Sequence, residues 1–253
     1  MSKKTRLILV GIGGGTCSGT TTLAKHLQRI LPNSIVIHQD DFAQPQELLP
    51  IHPVHNLRDW DAAPSAIWPR LVEFLVKVKV TGKIPVDHRS YNHFNKQRDL
   101  PIPSEVRNKW VGTFKSLLGE GATAGGEEIT WGLVEGFLLY WHPEVITQLD
   151  ARIYLHVSHD VLRARRHERY DYYTAEGALW HDPPNYWEQI VYPAYVDAHR
   201  DVFKGGDVEK GASTGEVAGL VLLESLEMSI GDMVNRSCEV VAGFLYTQRL
   251  SIH

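Results

Sequence analysis

Residues Gly14-Gly15-Thr16-Cys17-Ser18-Gly19-Thr20-Thr21 follow the spacing G-x-x-x-x-G-K-[ST], with threonine where that pattern carries lysine. Glycines in such a loop let backbone N–H groups converge on phosphate oxygens. A helix opening near Thr21 adds the positive end of its dipole. The Thr21 hydroxyl stands where it can ligate a magnesium ion bridging two phosphates. The same residues also suit a plain glycine turn that lets a helix pack closely on a sheet. A dinucleotide loop needs G-x-G-x-x-G, and the register Gly11, Gly13, Thr16 fails at its third glycine.

A second constellation is His38-Gln39-Asp40-Asp41-Phe42. A carboxylate just past a strand can accept the proton of an attacking hydroxyl, although paired aspartates also build Asx turns and helix caps. A third is the basic run Arg163, Arg165, Arg166 and Arg169, either a solvated helix face or a clamp for phosphates. The 13 histidines show no H-E-x-x-H and join no paired cysteines, so zinc has no support in the spacing. Cys17, at a helix N-terminus, reads as a small packing residue.

The elements that must position these groups alternate strand and helix. Leu7–Val10 reads as a buried strand, Gly11–Gly19 as the loop, and Thr21–Leu31 as a helix with Leu23, Leu27 and Ile30 in helical register. Ser34–His38 reads as the next strand, which makes a right-handed βαβ unit and a parallel sheet. Carboxyl ends of such strands are where open sheets place ligands. Residues 39–64 read as loop, 67–78 and 104–118 as helices, 82–103 as a surface insertion and 119–127 as a flexible turn. Ile129–Val134 and Ile153–Val157 read as strands and Asp160–Tyr170 as the basic helix. A polar aromatic stretch to Pro184, a helix over 186–200, a strand over 217–223 and an amphipathic helix over 230–250 complete the chain.

In combination, Gly19-Thr20-Thr21-Thr22-Leu23-Ala24-Lys25, Gln39-Asp40-Asp41-Phe42 and Val134-Glu135-Gly136-Phe137 resemble the nicotinamide riboside kinase family, among the P-loop nucleoside kinases that include uridine kinases. The likeness runs on through Asp59-Trp60-Asp61, Arg165-Arg166-His167-Glu168-Arg169 and Asp182-Pro183-Pro184-Asn185-Tyr186-Trp187. Gly206-Asp207-Val208-Glu209 resembles fungal members. It implies an α/β fold of the P-loop, nucleoside-monophosphate-kinase-like kind: a three-layer sandwich on a parallel sheet, one domain over 1–253 with a mobile lid near 163–186. It further implies ATP-dependent phosphorylation of nicotinamide riboside to nicotinamide mononucleotide, a step of NAD biosynthesis.

By the same resemblance Asp40 is the base and touches the nucleoside, and Glu135 and Thr21 hold Mg²⁺. The loop Gly14 to Thr21, Thr22, Arg165 and Arg169 bind ATP phosphates, and Trp60, Asp61, Arg166 and Asp182 meet the nucleoside. Trp60 also reads as an aromatic anchor for its loop, and Glu135 as the partner of a lid arginine. Two alternatives stand beside this reading. One keeps the chemistry with adenosine or another nucleoside, or with a different ribose hydroxyl. The other is a nucleotide-binding protein with weak or no kinase activity, because Thr20 replaces the lysine.

Composition fits a small-molecule enzyme. Lys and Arg total 26 against 30 Asp and Glu, which gives a nucleic acid no reason to bind. Two distant cysteines, Cys17 and Cys238, read as reduced thiols. The basic start through Arg6 leads into an apolar run too short for a signal peptide, and no stretch is long enough to span a bilayer. The expected location is the cytoplasm, with ATP and a nucleoside as partners and no membrane.

Overall fold

The computed structural model describes residues 5–95, 97–119, 128–169 and 171–250. The expected turn over 119–127 therefore lies outside the described residues except for Gly119, and Tyr170 lies outside them as well.

Five strands form one parallel sheet: β1 (Thr5–Gly14), β2 (Ser34–His38), β3 (Glu128–Gly136), β4 (Ala151–His156) and a last strand at Leu220–Glu224, in the order β2-β3-β1-β4-last. Alternation along β1 builds the two faces. Ile8, Val10 and Ile12 enter one apolar cluster with helices α1 (Thr20–Gln28), α3 (Ser104–Leu117) and the C-terminal helix Ile230–Leu250. Leu7 and Leu9 enter the other with α2 (Trp68–Thr81) and α4 (Pro143–Gln148). The expected three-layer α/β architecture with a central parallel sheet is the one observed.

Local chemistry accounts for the helices. In α2 the buried residues Trp68, Leu71, Phe74, Leu75 and Val78 fall on one face, Pro69 opens the first turn, and Gly82 ends it at φ 67. In α3, Trp110, Phe114 and Leu117 do the same after Pro103.

Several boundaries differ from the sequence expectation. β1 continues through the glycines to Gly14, because Gly13 still pairs with Gly136 and Gly14 with Leu155. α1 ends at Gln28, and the last strand occupies 220–224. The helix expected over 186–200 begins as a π-helical turn, Trp187–Val191, and continues as an α-helix, Tyr192–His199. The basic helix α5 is His159–Arg169. The polar aromatic stretch after it contains an unforeseen antiparallel hairpin of β5 (Asp171–Tyr173) and β6 (Leu179–His181). No helix among the described residues is long and apolar enough to cross a membrane.

Candidate active site

The glycine-rich loop leaves the carboxyl end of β1 and enters α1 at Thr20. Gly19, the N-cap, has φ 106, and the Ser18 N–H closes the turn on the Gly15 carbonyl at 3.0 Å. Cys17 adopts φ 62, a left-handed conformation uncommon for a residue with a Cβ and most often retained at functional loops. No side chain caps α1, and no acidic residue occupies its first turn. Its N–H groups and dipole are therefore available to an anion.

Glu135, at the end of β3, is 5% exposed and gathers the neighbouring elements. Its Oε2 accepts from the hydroxyls of Thr20 at 2.7 Å and Thr21 at 3.1 Å. Its Oε1 stands 2.6 Å from His38 Nδ1, since His38 and Glu135 are register partners on β2 and β3. Burial opposes charge on both groups. Their hydrogen bond and opposite charges, joined by the Thr20 and Thr21 hydroxyls on Glu135 and by Asp40 and Asp41 near His38, together outweigh it, drawing the Glu135 carboxyl below its ordinary range and raising His38. The partner of Glu135 is thus a histidine of β2, not a lid arginine. Gly136 is required next to it: a Cβ there would lie 2.1 Å from Gln39 Oε1, which accepts the Leu138 N–H at 3.0 Å.

Asp40 lies in a short 3₁₀ turn, Gln39–Phe42, immediately after β2. Its side chain is open to solvent on one side yet crowded by protein on the others. That crowding, with repulsion from Glu135, raises its carboxyl, while Arg169 and His38 hold the rise back. Asp40 borders an open cleft whose lining also includes Trp60, Asp61, Phe137, Arg166 and residues Tyr172 to Ala175 of the hairpin and its turn.

Arg166 is the hub of the far wall. Its guanidinium donates to Asp182 at 2.7 and 3.0 Å, to Asp61 at 3.2 and 3.4 Å, to the Thr16 hydroxyl at 2.9 Å and to the Tyr172 hydroxyl at 3.0 Å. The two carboxylates are unequal. Burial works against both, but Asp182 is held low by Arg166 and by the Trp180 N–H. Burial pushes Asp61 up to about 6 despite Arg166, and Asp182 and Asp59 repel it further. Asp61 is the looser partner, and its long contacts leave its oxygens free to take hydroxyl donors. An Asx turn fixes it: Asp59 Oδ1 accepts from the N–H groups of Asp61 at 2.9 Å and Ala62 at 2.8 Å.

Trp60 is buried at 7% exposure, edge-on to Trp180 with ring centroids 5.5 Å apart, and its backbone N–H donates to the Tyr186 hydroxyl at 3.1 Å. It therefore anchors its loop and also lines the cleft, while its buried indole N–H has no partner among the described residues. Arg165 donates to the Cys17 and Ser18 carbonyls at 3.4 Å each, and Arg169 lies over the Tyr172 ring at 4.8 Å. Arg163 turns outward to Glu188 and takes no part. Thr22 follows Thr21 on α1, partly exposed.

Sequence reasoning quoted His38 without giving it work, and it missed Tyr172, Asn92 and Asn95. The Asn92 amide lies 3.2 Å from His38 Nε2, and Asn95 joins it to the hairpin. Adjacency to the acidic pair was the one available signal for His38.

A protein named nicotinamide riboside kinase from Schizosaccharomyces pombe is 30% identical to this chain over 236 residues, 92% of this chain and 95% of that one. The chain belongs to the nicotinamide riboside kinase family. The nicotinamide riboside kinase of Saccharomyces cerevisiae is 28% identical over 204 residues, 81% of this chain and 82% of its own. Human nicotinamide riboside kinase 2 is 27% identical over 236 residues, 92% and 85% of the two chains. No family model matches the sequence. A solved structure titled as a possible uridine kinase from Bacillus stearothermophilus overlaps 76% of this chain and 86% of its own at 17% identity, with a TM-score of 0.38. Membership in the nicotinamide riboside kinase family brings a nucleoside-kinase identity to a chain whose cleft joins a glycine-rich loop, an acidic strand end and an arginine-bearing helix.

Proposed function

We propose that this chain transfers the γ-phosphoryl group of ATP to the 5′-hydroxyl of nicotinamide riboside, giving nicotinamide mononucleotide. The observation that carries the reading is the meeting of Thr21 and Glu135 at the foot of the phosphate loop, beside a cleft that holds Asp40 on one wall and Asp61 with Arg166 on the other. Family membership supports the same acceptor.

The loop N–H groups and α1 would hold the ATP phosphates, with Thr22 in the first turn of α1 and Arg165 and Arg169 on the lid side. Thr21 and Glu135 offer hard oxygen donors, one of them an ionised carboxylate, which suits magnesium. Thr21 and Glu135 would hold Mg²⁺, which would supply positive charge to offset that of the phosphates during transfer. Asp61, loosely held by Arg166, would take the ribose diol, and Asp182 would keep Arg166 in place. Trp60 would offer its ring edge and unpartnered N–H to the pyridine side. Asp40 would then accept the proton as the 5′-oxygen attacks in line. The catalytic unit is read as a single domain over 1–253, with a lid over about 163–186 that closes on both substrates. The setting is read as cytoplasmic NAD biosynthesis.

A second reading rests on Thr20: a nucleotide-binding protein in which the missing lysine leaves little turnover. One experiment separates the two. The protein is incubated with MgATP and a panel of nucleosides, and products are read by mass spectrometry. A mass gain of one phosphate on nicotinamide riboside is expected. Calorimetric binding of MgATP without phosphate transfer to any nucleoside would favour the second reading, and transfer to adenosine alone would change the acceptor.

A further inference from the structure

The segment between α2 and α3, expected as a surface insertion, runs along the outside but turns a series of side chains inward. His88 stacks on Phe42 with centroids 5.6 Å apart, and its Nε2 lies 3.3 Å from Asp41 Oδ2; Ser90 bonds to the same carboxylate. Asn92, buried, meets His38, the partner of Glu135. Asn95, also buried, reaches the lid hairpin. Its Oδ1 accepts the Tyr173 N–H at 2.8 Å, and its Nδ2 donates to the Tyr173 carbonyl at 3.2 Å and to Asn92 Oδ1 at 3.4 Å. One side-chain amide thus takes both backbone groups of the last residue of β5, as a neighbouring strand would. Phe94 packs on the Tyr173 ring at 5.1 Å. Tyr91 covers the hairpin turn at Gly177, where φ is +77 and an added Cβ would sit 3.1 Å from the ring.

The hairpin needs this help. Two strands of three residues bury little and are not stable alone in water. Tyr173, Thr174 and Ala175, which line the same cleft as Asp40, belong to this hairpin and the turn that closes it. We propose that Asn95 is a positioning residue of the acceptor site, and that residues 88–95 form a strap fixing the hairpin wall at a set distance from Asp40 and the Asp61–Arg166 pair. The strap thereby holds in place the part of the cleft lining against which the acceptor nucleoside would lie. This rests on the proposed nucleoside-kinase reading of the cleft.

The test uses full-length Asn95→Ala and Asn95→Asp beside the parent. Aspartate keeps the acceptor for the Tyr173 N–H and loses both donated bonds. Steady-state rates with MgATP are measured on nicotinamide riboside and adenosine, and backbone hydrogen exchange is followed at residues 173–175. For Asn95→Ala, the KM for nicotinamide riboside should rise roughly tenfold, as expected for losing the two hydrogen bonds to Tyr173. The kcat and the KM for ATP should stay near the parent's, the KM for adenosine should rise alongside where adenosine is accepted, and Tyr173 and Thr174 should exchange faster. Asn95→Asp should fall between the two.

An unchanged nucleoside KM in a folded Asn95→Ala protein overturns the proposal. So does a common fall of kcat, both KM-based efficiencies and melting temperature, which would make Asn95 merely structural. A parent with no phosphoryl transfer sinks the kinase reading instead, and exchange then decides the strap alone: unaltered protection at Tyr173 in Asn95→Ala removes it.

Discussion

At the scale of single residues, Asp40 carries the heaviest chemical demand. A base acts in the transition state, so Asp40→Ala should lower kcat by about 10²–10⁴ while MgATP still binds with near-parental affinity by calorimetry. Near-normal kcat at saturating substrates would remove Asp40 from that role. Its environment adds a pH signature. Crowding and Glu135 lift its carboxyl from 3.8 to about 6, and a base works only when deprotonated. The kcat/KM for the nucleoside should therefore hold at neutral pH and fall as pH drops through about 6. An acid limb at the ordinary aspartate value would show that the crowding has no effect. Glu135 is the contrasting carboxylate, held below its ordinary range by His38 and by two threonine hydroxyls, and so ionised wherever the enzyme works. Glu135→Gln keeps size and removes charge. It should raise the magnesium concentration for half-maximal rate and leave the nucleoside KM little changed. A magnesium titration that overlays the parent's, with activity intact, would confine Glu135 to pairing with His38.

At the scale of elements, α5 carries out two tasks with one helix. Arg166 turns inward to the Asp61–Asp182 pair, while Arg163, one turn earlier, turns out to Glu188. Because Asp182 makes the shorter bonds, Asp61→Ala should leave Arg166 anchored and the protein folded. Nucleoside affinity should weaken by about tenfold or more while the KM for ATP barely moves. Equal nucleoside affinity in parent and variant, by calorimetry, would place Asp61 outside the site. The same elements show what the chain announces and what it hides. Runs such as Leu7–Val10 and Ile129–Val134 are β-prone and continuous, as buried parallel strands must be, and the loop spacing marks the β1–α1 junction. The end of β1 was hidden because its glycines read as loop, whereas pairing with β3 and β4 keeps them extended. The hairpin β5–β6 and the six-residue α4 are too short to show a period. Within the site, Asp40, Asp61, Glu135 and Arg166 could be quoted because they stand in motifs. Asn92 and Asn95 could not, since their partners His38 and Tyr173 lie 54 and 78 residues away and no spacing rule links them.

At the scale of the whole molecule, the open question is where positive charge comes from when the phosphate loop supplies none. A lysine at position 20 would carry a fixed charge to the β- and γ-phosphates. Thr20 offers one hydroxyl proton, and that proton is already given to Glu135 at 2.7 Å, so it is not free for a phosphate. Lys25 is engaged elsewhere, with Gln97, and lies more than a turn along α1. His38 is drawn toward its charged form, but Glu135 takes up its Nδ1. The remaining source is the lid, brought across by the fold: Arg165 on α5 already rests on the Cys17 and Ser18 carbonyls, exposed and with no carboxylate partner among the described residues. Losing one transition-state donor of this kind costs about 10²–10³ in rate when nothing replaces it. Partial replacement by Arg165 would give a slow but real kinase. On that basis Thr20→Lys should raise kcat only modestly in the parent. In an Arg165→Ala background, where the lid charge is gone, the same substitution should raise kcat by about an order of magnitude or more. The check is turnover on one nucleoside by the parent, both single variants and the double variant. An equal gain from Thr20→Lys in both backgrounds would show that Arg165 carries none of the lysine's work. A large gain in the parent alone would mean that a lysine at position 20 needs the lid arginine beside it.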